Sequence, residues 1–236
     1  MSAEPGHPSL TLWPLSSARK LYGQLAPRAY SVLLFAALFC NLGVKLFHAL
    51  RYGLLYEYPS WILTDLAVLL SIEAVLALLC YRRPSQGVIR GATILAATVC
   101  AWSVLNAGWL IRTGTQILPM ELLPLIRNPI DILALVCRNL LNMPGPATVL
   151  LAPSTVALAF FFSVLAKPKP PEYNRKRFRV RIVASVAVIA VALLGSVTVS
   201  RLGSVPIPAT GLRFNCQSRA ILAFILPEYR HLDRIF

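Results

Sequence analysis

Acidic side chains are scarce in this chain of 236 residues, where nine Asp and Glu stand against 23 Lys and Arg. Charge of either sign is thin as well, at 14% of residues against about a quarter in soluble domains. Only three histidines occur, His7, His48 and His231, and they lie far apart. No Gly-rich phosphate loop, HExxH, GxSxG or paired His/Asp constellation is present. The expectation is therefore a chain with no catalytic residue, no metal ligand set and no cofactor of its own. The five cysteines are an odd number, and Cys40, Cys80, Cys100 and Cys137 fall in apolar stretches, with only Cys216 in a more polar setting. That excludes a disulfide framework, and the spacings lack the close pairs of a thiolate metal site. Buried, inert thiols are expected for most of them instead. There is no Asn-x-Ser/Thr sequon. A cleavable signal peptide is also missing: the first apolar block starts near Ala29 after a polar, Pro-containing lead and has no small-residue cleavage pattern behind it. It reads as a retained signal anchor.

What the chain does have is apolar residues, 57% of the total, gathered in blocks rather than at amphipathic spacing. Residues Ala29 to Leu50, Ser60 to Tyr81 and Val88 to Ile111 form three candidate spans, followed by Pro146 to Ala166 and Ile182 to Ser200. At about 1.5 Å per residue the first three reach about 33 Å or more, enough for a hydrocarbon core of about 30 Å. The fifth, at about 28 Å, is the shortest. Its valines do not argue for a strand, because a lone lipid-facing strand leaves its backbone groups unsatisfied. Between the third and fourth spans, Pro119, Pro124 and Pro129 preclude one continuous helix. After Asn128 a shorter helix can run from Pro129 to Asn142 until Met143-Pro144-Gly145-Pro146 stops it. There Asp131, Arg138 and Asn142 form a polar stripe opposite Ile132, Leu133, Leu140 and Leu141, the pattern of a helix lying in the membrane interface. The fold class expected is all-α: a polytopic membrane bundle of about five transmembrane helices with one interfacial amphipathic helix.

Basic residues orient the bundle. Arg19, Lys20, Arg28, Arg82, Arg83, Arg90, Lys167, Lys169, Arg175, Lys176, Arg177, Arg179 and Arg181 fall on one side, thirteen in all. The other side has nine: Arg51, Arg112, Arg127, Arg138, Arg201, Arg213, Arg219, Arg230 and Arg234. The positive-inside rule puts residues 1–28 in the cytoplasm, the transmembrane domain at 29–200 and a tail at 201–236 in a lumen or outside the cell. The plasma membrane or secretory pathway follows as location. The basic loop 167–181 is expected to meet anionic lipid headgroups. A net charge of +14 would point to nucleic acid in a soluble protein, but here the charges flank apolar blocks, so no nucleic-acid partner is expected.

Ionisable groups within spans are the candidate functional residues of such a chain. Lys45 and His48 lie in the last turns of span one and Asp65 in the second turn of span two, at similar depth in a hairpin. A Lys45–Asp65 pair serves either as a structural clasp, with Lys45 snorkelling to water, or as a polar vestibule for substrate or ion. Glu73, deeper in span two, needs a proton or a partner; Asn41 and Asn106 on neighbouring spans are candidates. A proton relay would need more acids or histidines at that depth than the chain supplies. Trp61, Trp102 and Trp109 suit interface anchoring or packing.

The order of parts resembles the membrane region of sulfatase-fold enzymes of the alkaline-phosphatase superfamily, of the lipoteichoic-acid-synthase and phosphoethanolamine-transferase type. In particular GWLIRTGTQILPMELLPLIRNP, followed by an interfacial helix, two spans and an outward tail, is similar to fungal membrane-bound sulfatase-like proteins. The similarity covers about Ala29 to Ser200. It implies a catalytic domain after the last span, with divalent metals in an Asp/His cluster and a Thr, Ser or modified Cys nucleophile. Cys216-Gln217-Ser218-Arg219 does not reproduce the family's Cys/Ser-x-Pro-x-Arg pattern, so no catalytic residue carries over. The resulting expectation is a membrane anchor that is not catalytic by itself and whose tail meets a catalytic domain or protein partner. Two alternatives stand beside it: a small transporter or lipid-binding protein with a polar cavity near Lys45, Asp65 and Glu73, and a scaffold or assembly subunit.

Overall fold

The computed structural model describes residue 25 and residues 28–121, 127–165, 175–202 and 211–226. Most of the cytoplasmic segment expected at 1–28, the 167–174 part of the basic loop, and 203–210 and 227–236 of the tail lie outside the described residues. The elements are α1 (Ala29–Arg51), α2 (Tyr58–Arg82), α3 (Gln86–Thr113), α4 (Pro129–Asn142), α5 (Pro144–Leu165), α6 (Arg175–Leu202), a 3-10 turn (Gly211–Arg213) and α7 (Cys216–Ile225). Among the described residues no strand occurs. Local chemistry sets the ends. Proline stands in the first turn of α2, where its missing N–H costs nothing. The Ser85 hydroxyl caps α3 by accepting from the Val88 N–H at 3.3 Å. Gly114, at φ +78°, closes α3 in the left-handed conformation that glycine takes without a Cβ penalty.

Four helices are long and apolar enough to cross a membrane: α1, α2, α3, and the Phe178–Gly195 part of α6. The chain is a membrane protein. The span expected at 146–166 is helix α5, but among the described residues its apolar part runs only from Leu151 to Phe162. The α6 helix begins earlier than the span expected at 182–200: Arg175 to Arg181, read as loop, form its first two turns. Helix α4 has the expected bounds. Its Asp131, Arg138 and Asn142 are exposed, and so are Ile130, Leu133 and Leu141.

Successive long helices run antiparallel. Near the α2–α3 turn, Tyr30, Leu33, Leu76, Cys80, Ile89, Ala96 and Phe178 pack into one apolar cluster. Toward the α1–α2 turn, Val44, Trp61, Leu110, Ala147 and Leu151 belong to a second. Small residues at the contacts, among them Ala37, Ala77, Ala96 and Ala107, let the backbones approach closely. The outward surface is the reverse of a soluble protein's: Phe35, Phe39, Val75, Val183, Val191 and Leu194 all stand exposed. Such a belt requires lipid around it.

Candidate functional site

A polar centre lies inside the end of the bundle where α1 meets α2. Lys45 and Asp65 are both fully buried, and Lys45 Nζ stands 2.5 Å from Asp65 Oδ2. The ammonium also donates to the carbonyls of Trp61 at 2.8 Å and Phe214 at 3.1 Å. The other carboxylate oxygen, Asp65 Oδ1, accepts from Asn215 Nδ2 at 2.7 Å and from Asn41 Nδ2 at 3.2 Å. Lys45 therefore does not snorkel. Its charge is held inside by a carboxylate and two carbonyls, the condition under which a buried ion pair survives desolvation.

Half of these partners come from the segment after α6, which returns into the bundle. Asn215 caps α7, its Oδ1 accepting from the N–H groups of Gln217 and Ser218, each at 3.1 Å. Its amide nitrogen is thereby left to face Asp65. Gln217 Nε2 donates to Ser103 Oγ at 2.7 Å and to the Val99 carbonyl at 3.2 Å, and its Oε1 accepts from Asn41 Nδ2 at 3.4 Å. Side chains of α2, α3 and the turn beyond α3 read the segment's backbone. Thr64 donates to the Arg213 carbonyl at 2.5 Å, Gln116 to that of Phe214 at 3.0 Å, and Trp102 to that of Cys216 at 3.3 Å. At the mouth, Arg213 meets Glu57 at 3.4 Å. The Cys216 thiol is buried beside Asn41 Oδ1, at 3.6 Å.

Glu73 belongs to a second centre, about 12 Å along α2 from Asp65 by helical rise. Its Oε1 accepts from Ser31 Oγ at 3.2 Å and pairs with Arg181 of α6. Neither Asn41 nor Asn106, the partners expected from the sequence, reaches it. Asn41 joins the Asp65 centre, and buried Asn106 accepts from the Ile117 N–H at 3.2 Å, tying the chain beyond α3 back onto that helix. His48 joins neither centre; its ring lies 4.5 Å from that of Tyr52 and 6.2 Å from that of Trp61. Trp61 itself is buried rather than placed at an interface.

Lys45, Asp65 and Glu73 thus do not converge on one polar cavity. The partners that sequence reasoning missed are Asn215 and Gln217 on one centre and Arg181 on the other. Asn215 before a short helical run was a legible cap, but nothing in sequence pointed it at Asp65. Among the described residues no group of three or more His, Cys, Asp or Glu could hold a metal ion. Chemically, the arrangement can bind and orient a returning backbone. Compared with protein-family models, curated proteins and solved structures, the chain gives no match.

Proposed function

We propose that this chain is the membrane anchor of a sulfatase-like hydrolase or phosphotransferase, non-catalytic by itself, that fixes the polypeptide following its last span at a set position on the bundle. The observation that carries this reading is the return of residues 211–226 into the bundle, where Asn215 donates to Asp65, Lys45 donates to the Phe214 carbonyl, and Gln217 donates to Ser103 of α3. A free tail does not need that bond network; an attachment point does. The anchor makes five crossings. Beside α1, α2, α3 and α6 the remaining crossing, fourth in chain order, is α5, whose 22 residues amount to about 33 Å of helix. It packs antiparallel against α1, with Ser154 Oγ donating to the Ala36 carbonyl at 3.0 Å. Helix α4 lies in the interface plane with Ile130, Leu133 and Leu141 in lipid.

With five crossings, residues 1–28 lie in the cytoplasm and the segment after α6 starts on the lumenal or extracellular side, in the plasma membrane or secretory pathway. Exposed Arg82, Arg83, Arg90, Arg175 and Arg179 stand at the cytoplasmic end, where they meet anionic headgroups. The transporter reading draws less support, because the polar groups it would use already satisfy one another.

The test has two arms. Membranes carrying this chain alone are assayed with a sulfate ester and a phospholipid phosphodonor, with and without added divalent metal; no turnover is expected. The reading frame beyond Phe236 is then determined, and an Asp/His metal cluster is expected in it. Turnover by the chain alone would overturn the proposal, as would a stop codon at Phe236 together with solute uptake lost in Asp65→Asn.

A further inference from the structure

Helix α7 is amphipathic in the opposite sense to a helix on a water-soluble surface. Its polar side is inside: Asn215, Gln217 and Arg219 are buried, together with Ala220 and Ala223. Its large apolar side chains are outside, with Ile221 61%, Phe224 73% and Ile225 65% exposed. In water this arrangement loses on both faces. It hides groups that hydration would favour and exposes three large hydrophobes to a solvent that disfavours them.

The depth of the segment removes the apparent contradiction. About 10 Å of helix rise separates Asp65, the partner of Asn215, from the Tyr58 end of α2. About 21 Å separates Val99, whose carbonyl accepts from Gln217, from the Thr113 end of α3. The start of α7 therefore lies well below the ends of the long helices, at the level of their apolar surfaces.

We infer that residues 211–226 form a re-entrant segment: α7 lies within the bilayer, its polar side sealed against α1, α2 and α3 and its Ile221–Phe224–Ile225 side packed on lipid acyl chains. The occupant of that side is lipid because the chain is a membrane protein and the exposed surface of the long helices, Val75, Leu78 and Leu79 on α2 and Ile94 and Leu95 on α3 among it, is equally apolar. At about 15 Å, α7 is too short to cross, and a non-spanning segment persists at this depth only if protein satisfies its polar groups. Asp65 and Lys45 bind Asn215 and the Phe214 carbonyl, and Ser103, Val99 and Asn41 bind Gln217. A tail extending into the lumen from residue 201 is thus replaced by one that first dips back into the membrane. The placement holds whether or not a catalytic domain follows.

The experiment uses the full chain with Cys40, Cys80, Cys100 and Cys216 replaced by alanine and Cys137 by serine, with Ile221→Cys, Phe224→Cys or Tyr56→Cys added singly, in membrane sheets open on both faces. Tyr56, exposed in the α1–α2 turn, is expected to react with a water-soluble maleimide. Positions 221 and 224 are expected to lose that reactivity and regain it in denaturing detergent. A bimane fluorophore at Phe224→Cys is further expected to lose fluorescence when nitroxides are placed on the acyl chains. Labelling at 221 and 224 as fast as at 56 would overturn the inference. Protection without acyl-chain quenching would overturn it too, because a covering protein rather than lipid would then shield the helix.

Discussion

Lys45 and Asp65 illustrate how a buried pair differs from a half-buried one. Removing either side chain leaves an uncompensated charge in the bundle, at a cost of about 3–5 kcal/mol. Lys45→Ala and Asp65→Ala are each expected to lower stability by that order in detergent-solubilised unfolding, while the double variant Lys45→Met/Asp65→Leu loses far less than the sum. An additive double variant would show that the two groups are not coupled. Glu73 is in a softer position, since Arg181 is 26% exposed and can turn to water or headgroups once its partner is neutral. Glu73→Gln is therefore expected to cost about 1 kcal/mol in the same assay, with insertion unchanged in a protease-protection assay. The acids and the lysine were legible in the sequence because charge within a span is costly and conspicuous. Their partners were not, since Arg181 reads as one cation of a basic loop and Asn215 lies 150 residues from Asp65.

At the scale of elements, apolar run length set the long helices well. The expected spans 29–50, 60–81 and 88–111 end within two residues of α1, α2 and α3. The first turns of α6 were missed for a physical reason. Five of the seven residues in Arg175-Lys-Arg-Phe-Arg-Val-Arg181 are cations, which disfavour a helix N-terminus by opposing the macrodipole. Tertiary contacts outweigh that cost: Phe178 stacks on Tyr81 with ring centroids 4.1 Å apart, and Arg181 pairs with Glu73. Farther along α6, Gly195 marks its close approach to α2, where an added Cβ would stand 3.1 Å from a Leu63 methyl. A leucine methyl can yield a few tenths of an ångström, so Gly195→Ala is expected to be tolerated. Gly195→Phe should overpack the contact and lose about 1–3 kcal/mol in thermal unfolding. A stable Gly195→Phe variant would mean that α6 does not lie against α2 there. Removing the α7 cap tests another joint. Asn215→Ala deprives two N–H groups and Asp65 of a partner, and is expected to cost about 2 kcal/mol.

For the whole molecule, lipid acts as solvent on the outside and the chain's own segment 211–226 as the ligand of its polar interior. Hydropathy and charge count read the first of these directly from sequence. The second was illegible there, because a ten-residue helix with three polar residues resembles an aqueous tail until it is known which side faces the bundle. Joining that segment to α1 by a covalent bond measures the account most directly. Cys216 Sγ lies 3.6 Å from Asn41 Oδ1, so Asn41→Cys places a second thiol beside it. In a chain whose other cysteines are alanine, oxidation in native membranes is expected to form the internal disulfide and block both thiols from alkylation after denaturation. Two free thiols after oxidation, with Cys216 open to a water-soluble maleimide before denaturation, would contradict the docked segment and the polar lock built on it.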